Sequence, residues 1–204
     1  IFSSGYNLDI TIRIEAGAFV CGEETALIAS IEGKRGMPEL KPPYPTASGL
    51  FGKPTVINNV ETLMNVPVIM QNGPDWFRTI GTPGSKGTKV FSIGGRGRLT
   101  GIIEVEMGTT FRTIVENIAD GIRDGREFKS LMIGGPSGKF IPEEKLDTPV
   151  DFEDIISAGA AMGSGGMVIV DETTCMVDLV RYYMSYIHKE SCGKCIPCRE
   201  GTGR

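Results

Sequence analysis

Cys192, Cys195 and Cys198 lie two residues apart in the run SCGKCIPCR, residues 191–199. Thiols at this spacing can turn toward one point, and two centres commonly use such a loop: structural zinc and a cubane iron–sulfur cluster. A ferredoxin run would bring the next cysteine after three more residues, and that position holds Thr202. A simple ferredoxin is therefore excluded, while zinc and a cluster with a distant fourth ligand both stay open. Gly193 lets the backbone fold close to such a centre, and Pro197 removes one N–H from the loop. Lys194 and Arg199 either offset the charge of an anionic centre or are solvated surface cations.

A second group of residues sits near the other end. Gly22-Glu23-Glu24 precedes an apolar helical pattern that runs to Ile31, with Gly33 just past it. Acids in a first turn favour the helix dipole, and a glycine turn ahead of them leaves backbone N–H groups open to a ligand. Phe19 and Tyr44 either stack on a planar ligand or pin the loop that carries them. Asn58, Asn59 and Thr62 stand where a loop enters a helix, where amide and hydroxyl groups cap the helix or bond a ligand.

The elements that must hold these groups can be read in outline. Residues 8–14 alternate apolar and polar, as a half-buried strand does. A turn over 16–22 leads to the helix of Glu23–Ile31, so strand, glycine turn and helix form a ligand-cradling unit. Residues 34–55 carry five prolines and read as a long loop. A helix is expected from Val60, broken or kinked at Pro67. Residues 81–87 (GTPGSKG) read as a linker. Strands are then expected at Lys89–Ile93 and Ile102–Glu106 around a Gly94-Gly95-Arg96-Gly97-Arg98 hairpin loop, which lacks a dinucleotide-binding glycine pattern. A helix over Phe111–Ile118 capped by Thr110 and a strand at Ser130–Ile133 complete a small α+β module of the β-grasp kind, and Met167–Val170 reads as a separate short buried strand beyond it. Residues 159–166 (GAAMGSGG) read as flexible. A last helix, Cys175–Lys189, packs one face through Met176, Val177, Val180, Met184 and Ile187, and delivers the chain to the cysteines. His188 is expected at the surface, and Cys21 and Cys175 as ordinary buried thiols.

Composition sets the class. The 204 residues are 40% apolar, enough for a core, and the net charge of −4 argues against nucleic acid as a general partner. Five cysteines, three of them within seven residues, suit a reduced, cytoplasmic protein whose thiols bind metal. No apolar run approaches the ~18–20 residues needed to span a bilayer. The sequence opens Ile1-Phe2-Ser3-Ser4, without methionine, and stops soon after the cysteines. Both ends are expected to be cuts through a longer chain.

Four motifs taken together resemble a family. Phe19-Val-Cys-Gly-Glu-Glu-Thr-Ala-Leu27, Lys41-Pro-Pro-Tyr44, Asn58-Asn-Val-Glu-Thr62 and Ser191–Gly201 are similar to the 51 kDa-type flavin- and NADH-binding subunit of complex I and of NAD(P)-linked hydrogenases and formate dehydrogenases. Residues 171–178, 134–138 and 162–166 lean toward the hydrogenase and formate dehydrogenase branch. The resemblance implies an α/β plus α+β chain in three parts. Residues 1–84 would be the end of a partial Rossmann-like flavin domain, 85–150 a β-grasp (SLBB-type) domain, and 151–204 a connector and the start of a helical iron–sulfur domain. It implies that Phe19, Gly22, Glu23, Glu24, Lys41, Tyr44, Asn58, Asn59 and Thr62 contact flavin mononucleotide (FMN) or the dinucleotide. Glu24, the candidate catalytic residue, would lie near the nicotinamide, ordering water or orienting the carboxamide, and need not act as an acid or base. Position 19 is often Tyr and position 44 Phe in the family, so the two aromatics are exchanged here. It further implies a 4Fe-4S cluster on Cys192, Cys195 and Cys198 with a fourth ligand further on, and NAD(P)H as substrate. The implied partners are other iron–sulfur subunits, including a small 2Fe-2S subunit, with no nucleic acid and no membrane insertion. A glycine- and arginine-rich flavin loop of the family is not in this sequence, so weak flavin binding and an incomplete cluster are expected of these residues alone. The competing reading is a non-catalytic interaction module, stable through residues 85–150, or a zinc-binding domain.

Overall fold

The computed structural model describes all residues except 1–3, 6 and 16. The helices are α1 (Glu24–Ile31), α2 (Val60–Asn72), α3 (Pro74–Arg78), α4 (Phe152–Ser157), α5 (Met176–Glu190) and α6 (Ile196–Gly201). The strands are β1 (Thr88–Gly95), β2 (Gly101–Glu106), β3 (Phe128–Ile133), β4 (Lys139–Pro142) and β5 (Gly166–Asp171). Two compact units result: residues 1–57 with 188–204, and residues 58–187.

The larger unit is a five-stranded mixed sheet in the order β2-β1-β5-β3-β4, the β-grasp arrangement expected from the sequence. Strands β1 and β2 form an antiparallel hairpin, β3 and β4 another, and β5 joins them, parallel to β1 and antiparallel to β3. A strand paired on both sides and covered on both faces reads as a continuous apolar run, and β5 begins Gly-Met-Val-Ile-Val. The sheet is therefore not complete at residue 150, because its middle strand comes later. Phe91, Phe111, Ile114, Leu131, Ile133, Ile155 and Ile169 fill the core with at most 1% of their surface exposed; burying each side chain contributes about 1.5–3 kcal/mol. The Phe111–Ile118 helix forms, largely as a π-helical segment over Thr113–Ile118. The Thr110 hydroxyl accepts from the Thr113 N–H at 3.2 Å, the expected cap.

Both glycine-rich stretches depart from the sequence reading. Residues 81–87 form a folded turn, with Thr82 N–H bonded to Ser85 O at 2.9 Å and Gly87 N–H to Ile80 O at 3.0 Å. The turn is fastened by the Thr82 hydroxyl to the buried Asp151 carboxylate, which also caps α4. Residues 159–166 contain the buried Met162 and end against β1. Gly165 has φ +95, and a Cβ there would meet Val90 O at 2.4 Å. Gly81, Gly87, Gly163 and Gly165 serve close approach of packed neighbours, not flexibility.

Three further expectations change. Helix α2 is not broken at Pro67 but continues to Asn72, with no proline N–H for the Leu63 carbonyl. No residue of α5 is fully buried; of the expected packing face Val177, Val180 and Met184 are exposed and only Met176 and Ile187 are half-buried. Residues 8–14 form no strand; Leu8, Ile10, Ile12 and Ile14 are exposed. A strand needs a neighbour to take its N–H and C=O groups, and among the described residues none pairs with this segment. The strand–turn–helix unit therefore reduces to turn and helix, and Ala16 of the expected turn lies outside the described residues. No helix among them is long and apolar enough to cross a membrane.

Candidate functional site

In the smaller unit a 3-10 turn, Phe19–Gly22, leads into α1. Glu23 is the N-cap: its carboxylate accepts from the N–H groups of Thr25 (2.9 Å) and Ala26 (3.0 Å) and from the Thr25 hydroxyl. Burial pushes the Glu23 carboxyl up, but Thr25, Ala26 and Lys41 outweigh it and hold it below the usual carboxylate range. A depressed carboxylate stabilises the fold above its unfolded pKa, and that contribution is lost as pH falls through the lower folded value. Glu23→Ala is expected to cost about 1 kcal/mol at neutral pH. The difference from the parent should shrink in urea melts as pH falls below the ordinary glutamate pKa, and vanish only once the pH has passed the lower folded value.

The long loop from residue 34 carries Lys41 back onto α1. Its ammonium pairs with Glu24 and lies 3.5 Å from Glu23 Oε1. The hydrogen bond to Glu24 raises the lysine pKa, so the cation is secure at neutral pH. Glu23, Glu24 and Lys41 are thus one cluster at a helix N-terminus. Phe19 and Tyr44 are 54% and 59% exposed. Gly22 is exposed, and a Cβ there would meet nothing within 4 Å. The backbone conformation does not require glycine at this position, because its φ is not positive.

Asn58, Asn59 and Thr62 belong to the other unit, at the entrance to α2, and all three are exposed. Asn59 is the N-cap residue but makes no side-chain cap bond. The capping use weighed for these amides is therefore not realised by Asn59, whose amide is left for other contacts. Glu61, which the sequence reading did not single out, accepts from Val90 N–H at 2.8 Å and pairs with the buried Lys89. Its only sequence signal was its place inside the Asn58–Thr62 motif.

The cysteine loop also lies in the smaller unit. Cys192 and Cys198 are half-buried, Cys195 is exposed, and all three thiols are free. Cys195 is the N-cap of α6, with Pro197 in the first turn. The loop is tied by cations to carbonyls: Arg35 to Cys192 O at 3.3 Å, Arg199 to Gly193 O at 2.8 Å, and Lys194 to Pro38 O. Lys194 and Arg199 are therefore bonded cations at the loop, not free solvated ones. Three thiols on one short loop, ringed by cations, fit an anionic iron–sulfur cluster in donor chemistry. The sulfurs do not yet converge: among the described residues no three His, Cys, Asp or Glu side chains close into a metal-holding set. The Cys198 thiol instead donates to Ser191 Oγ at 3.3 Å. Binding a cluster requires the thiols to turn inward. Cys21 is half-buried and Cys175 exposed, the latter against expectation, because it precedes helix α5, no residue of which is fully buried. His188 is exposed, with Nδ1 3.0 Å from the Thr202 hydroxyl.

Residues 3–68 match the Nuo51 FMN-binding domain, and residues 178–204 match the NADH-ubiquinone oxidoreductase-F iron–sulfur binding region. The two matches fall on the two clusters just described. The chain is a relative of the 51 kDa-type flavoprotein subunits. It is 50% identical over 204 residues to the NADP-reducing hydrogenase subunit HndC of Solidesulfovibrio fructosivorans, covering all of this chain and 42% of that one. It is 48% identical over 201 residues to an NADH-quinone oxidoreductase subunit of Rhizobium meliloti (strain 1021), covering 98% of this chain and 48% of the relative. A crystal structure of an NAD+-reducing [NiFe]-hydrogenase in the H2-reduced state superposes with a TM-score of 0.83 at 40% identity, over 93% of this chain and 32% of that one. The chain thus spans under half the length of these 51 kDa-type relatives.

Proposed function

We propose that this chain supplies flavin-, dinucleotide- and cluster-binding residues to an NAD(P)H-linked oxidoreductase subunit of a multisubunit complex: an NADH dehydrogenase, an NAD(P)-reducing hydrogenase or a formate dehydrogenase. One observation carries the reading. The Glu23–Glu24–Lys41 cluster and the cysteine loop belong to one compact unit, and the loop is bonded to residues 35 and 38, just ahead of Lys41. When bound, FMN accepts a hydride and releases electrons singly, and a 4Fe-4S cluster takes them one at a time. The chain's own part is binding and orientation. Exposed Gly22 leaves room for a planar group against the turn. Glu24, paired with Lys41, would hold the nicotinamide carboxamide. Phe19 and Tyr44 offer stacking faces, and Asn58, Asn59 and Thr62 offer donors for phosphate and ribityl hydroxyls. Cys192, Cys195 and Cys198 supply three thiolates, with the fourth ligand elsewhere. The five free thiols suit a reducing, cytoplasmic setting, and the partners would be iron–sulfur subunits, a small 2Fe-2S subunit among them.

The test is Gly22→Ala in the assembled complex. A Cβ at this open position clashes with nothing in the chain, so thermal stability should match the parent. Bound flavin, measured by its yellow absorbance, should fall at least roughly tenfold in affinity, because a methyl group intrudes on the ligand's space. Unchanged flavin binding would remove the turn from the flavin site.

A further inference from the structure

We infer that Arg35 is the positioning residue of the cysteine loop, setting both its placement and the potential of the cluster it holds; this rests on the cluster reading above. Arg35 leaves the loop that follows α1 and donates from Nη2 to the carbonyl of Cys192 at 3.3 Å. It makes no ion pair within 4.0 Å to a carboxylate among the described residues, so its charge is not cancelled locally. By contrast, Arg199 on the other side of the loop shares its charge with Glu200 at 3.2 Å. A guanidinium presents several donors in a fixed fork and stays charged at all working pH values. Held at the first cysteine, it fixes the backbone from which that thiol must turn inward. It also adds a permanent positive charge beside a centre that becomes one unit more negative when it takes an electron. The reduced form therefore gains more from Arg35 than the oxidised form does. Removing the charge makes the cluster harder to reduce.

The experiment is mediated potentiometry with dithionite as electron donor, on the native complex purified anaerobically. It is followed by the electron paramagnetic resonance signal of the reduced four-iron centre, with iron counted by elemental analysis. The Arg35→Gln variant keeps a shorter donor and loses the charge. Its midpoint should move to more negative potential, with a roughly fivefold lower ratio of reduced to oxidised cluster at the parent's midpoint. Arg35→Lys should return most of that shift, and Arg35→Ala should in addition lose part of the iron. A structural role alone would not give a shift that follows charge rather than size. Midpoints in Arg35→Gln and Arg35→Ala equal to the parent's overturn the assignment while leaving the cluster reading intact. A parent complex with no four-iron signal overturns both.

Discussion

Replacing Cys195 by serine is expected to abolish the four-iron signal of the assembled complex while leaving the fold as stable as before. The two outcomes separate because of where this cysteine sits. Its side chain is exposed and its thiol is free, so serine removes no packing. It occupies the N-cap of α6, a position where serine is preferred. Melting should therefore be unchanged or slightly higher, with a gain of at most about 1 kcal/mol. A hydroxyl is a poor ligand for a soft iron–sulfur centre, so iron content and the reduced-cluster signal should both fall to background. Flavin absorbance should stay at the parent level, since the Glu23–Glu24–Lys41 cluster shares no side-chain contact with Cys195. Elemental analysis of the parent closes the comparison. Stoichiometric zinc in place of iron would sink the cluster reading, and retention of full iron in Cys195→Ser would remove this thiol from the ligand set.

Asp171→Ala is the stability change with the largest expected effect. Asp171 ends the middle strand β5 with none of its surface exposed. Its Oδ1 accepts from the Thr173 and Thr174 hydroxyls at 2.8 and 2.9 Å, and Oδ2 faces Arg96 at 3.6 Å and Arg126 at 3.9 Å. Burial alone would push this carboxyl up. The two hydroxyls and two guanidiniums prevail and hold it below the usual range. Deleting it leaves the two hydroxyls without their acceptor and removes the negative charge that faces the two arginines. The arginines are 48% and 38% exposed, so water replaces part of the loss. The expected cost is about 2–3 kcal/mol in urea or thermal unfolding. The pH sign follows from the depressed value. The contribution is complete above the unfolded aspartate pKa, near 4, and fades as pH falls through the folded one. Parent and variant should converge in stability in strong acid, and a difference that persisted there would place the loss in packing rather than charge.

Four of the five strands of the sheet were legible because they obey simple periodicities, while the short β4 was not foreseen. Thr88–Gly95 and Gly101–Glu106 bracket an arginine–glycine hairpin loop, and the apolar run at Met167–Val170 announced a strand buried on both faces. The glycine-rich segments misled for one physical reason. Glycine marks close backbone approach as well as freedom, and only the tertiary partner tells which: Val90 O for Gly165, or Gly134 for Gly163. Residues 8–14 carried a correct alternating pattern without a partner to pair with. At the site, the acid–lysine cluster was not foreseen as a cluster, because seventeen residues and a proline-rich loop separate Glu24 from Lys41. The Arg35–Cys192 contact was invisible for the same reason, the two residues being 157 positions apart.

The order of the sheet also bears on how the protein is made. Its two hairpins are complete by residue 142, yet in the sheet they are hydrogen-bonded together only through β5, which begins at Gly166. A nascent chain emerging from the ribosome must hold two unjoined hairpins, each with an open edge and an apolar face, until those last residues appear. Exposed edges and slow, non-local pairing are the conditions under which chains associate wrongly. Stalling synthesis between residues 142 and 166 should therefore leave a chaperone-dependent, aggregation-prone intermediate. Release of the β5 segment closes the sheet in a single step.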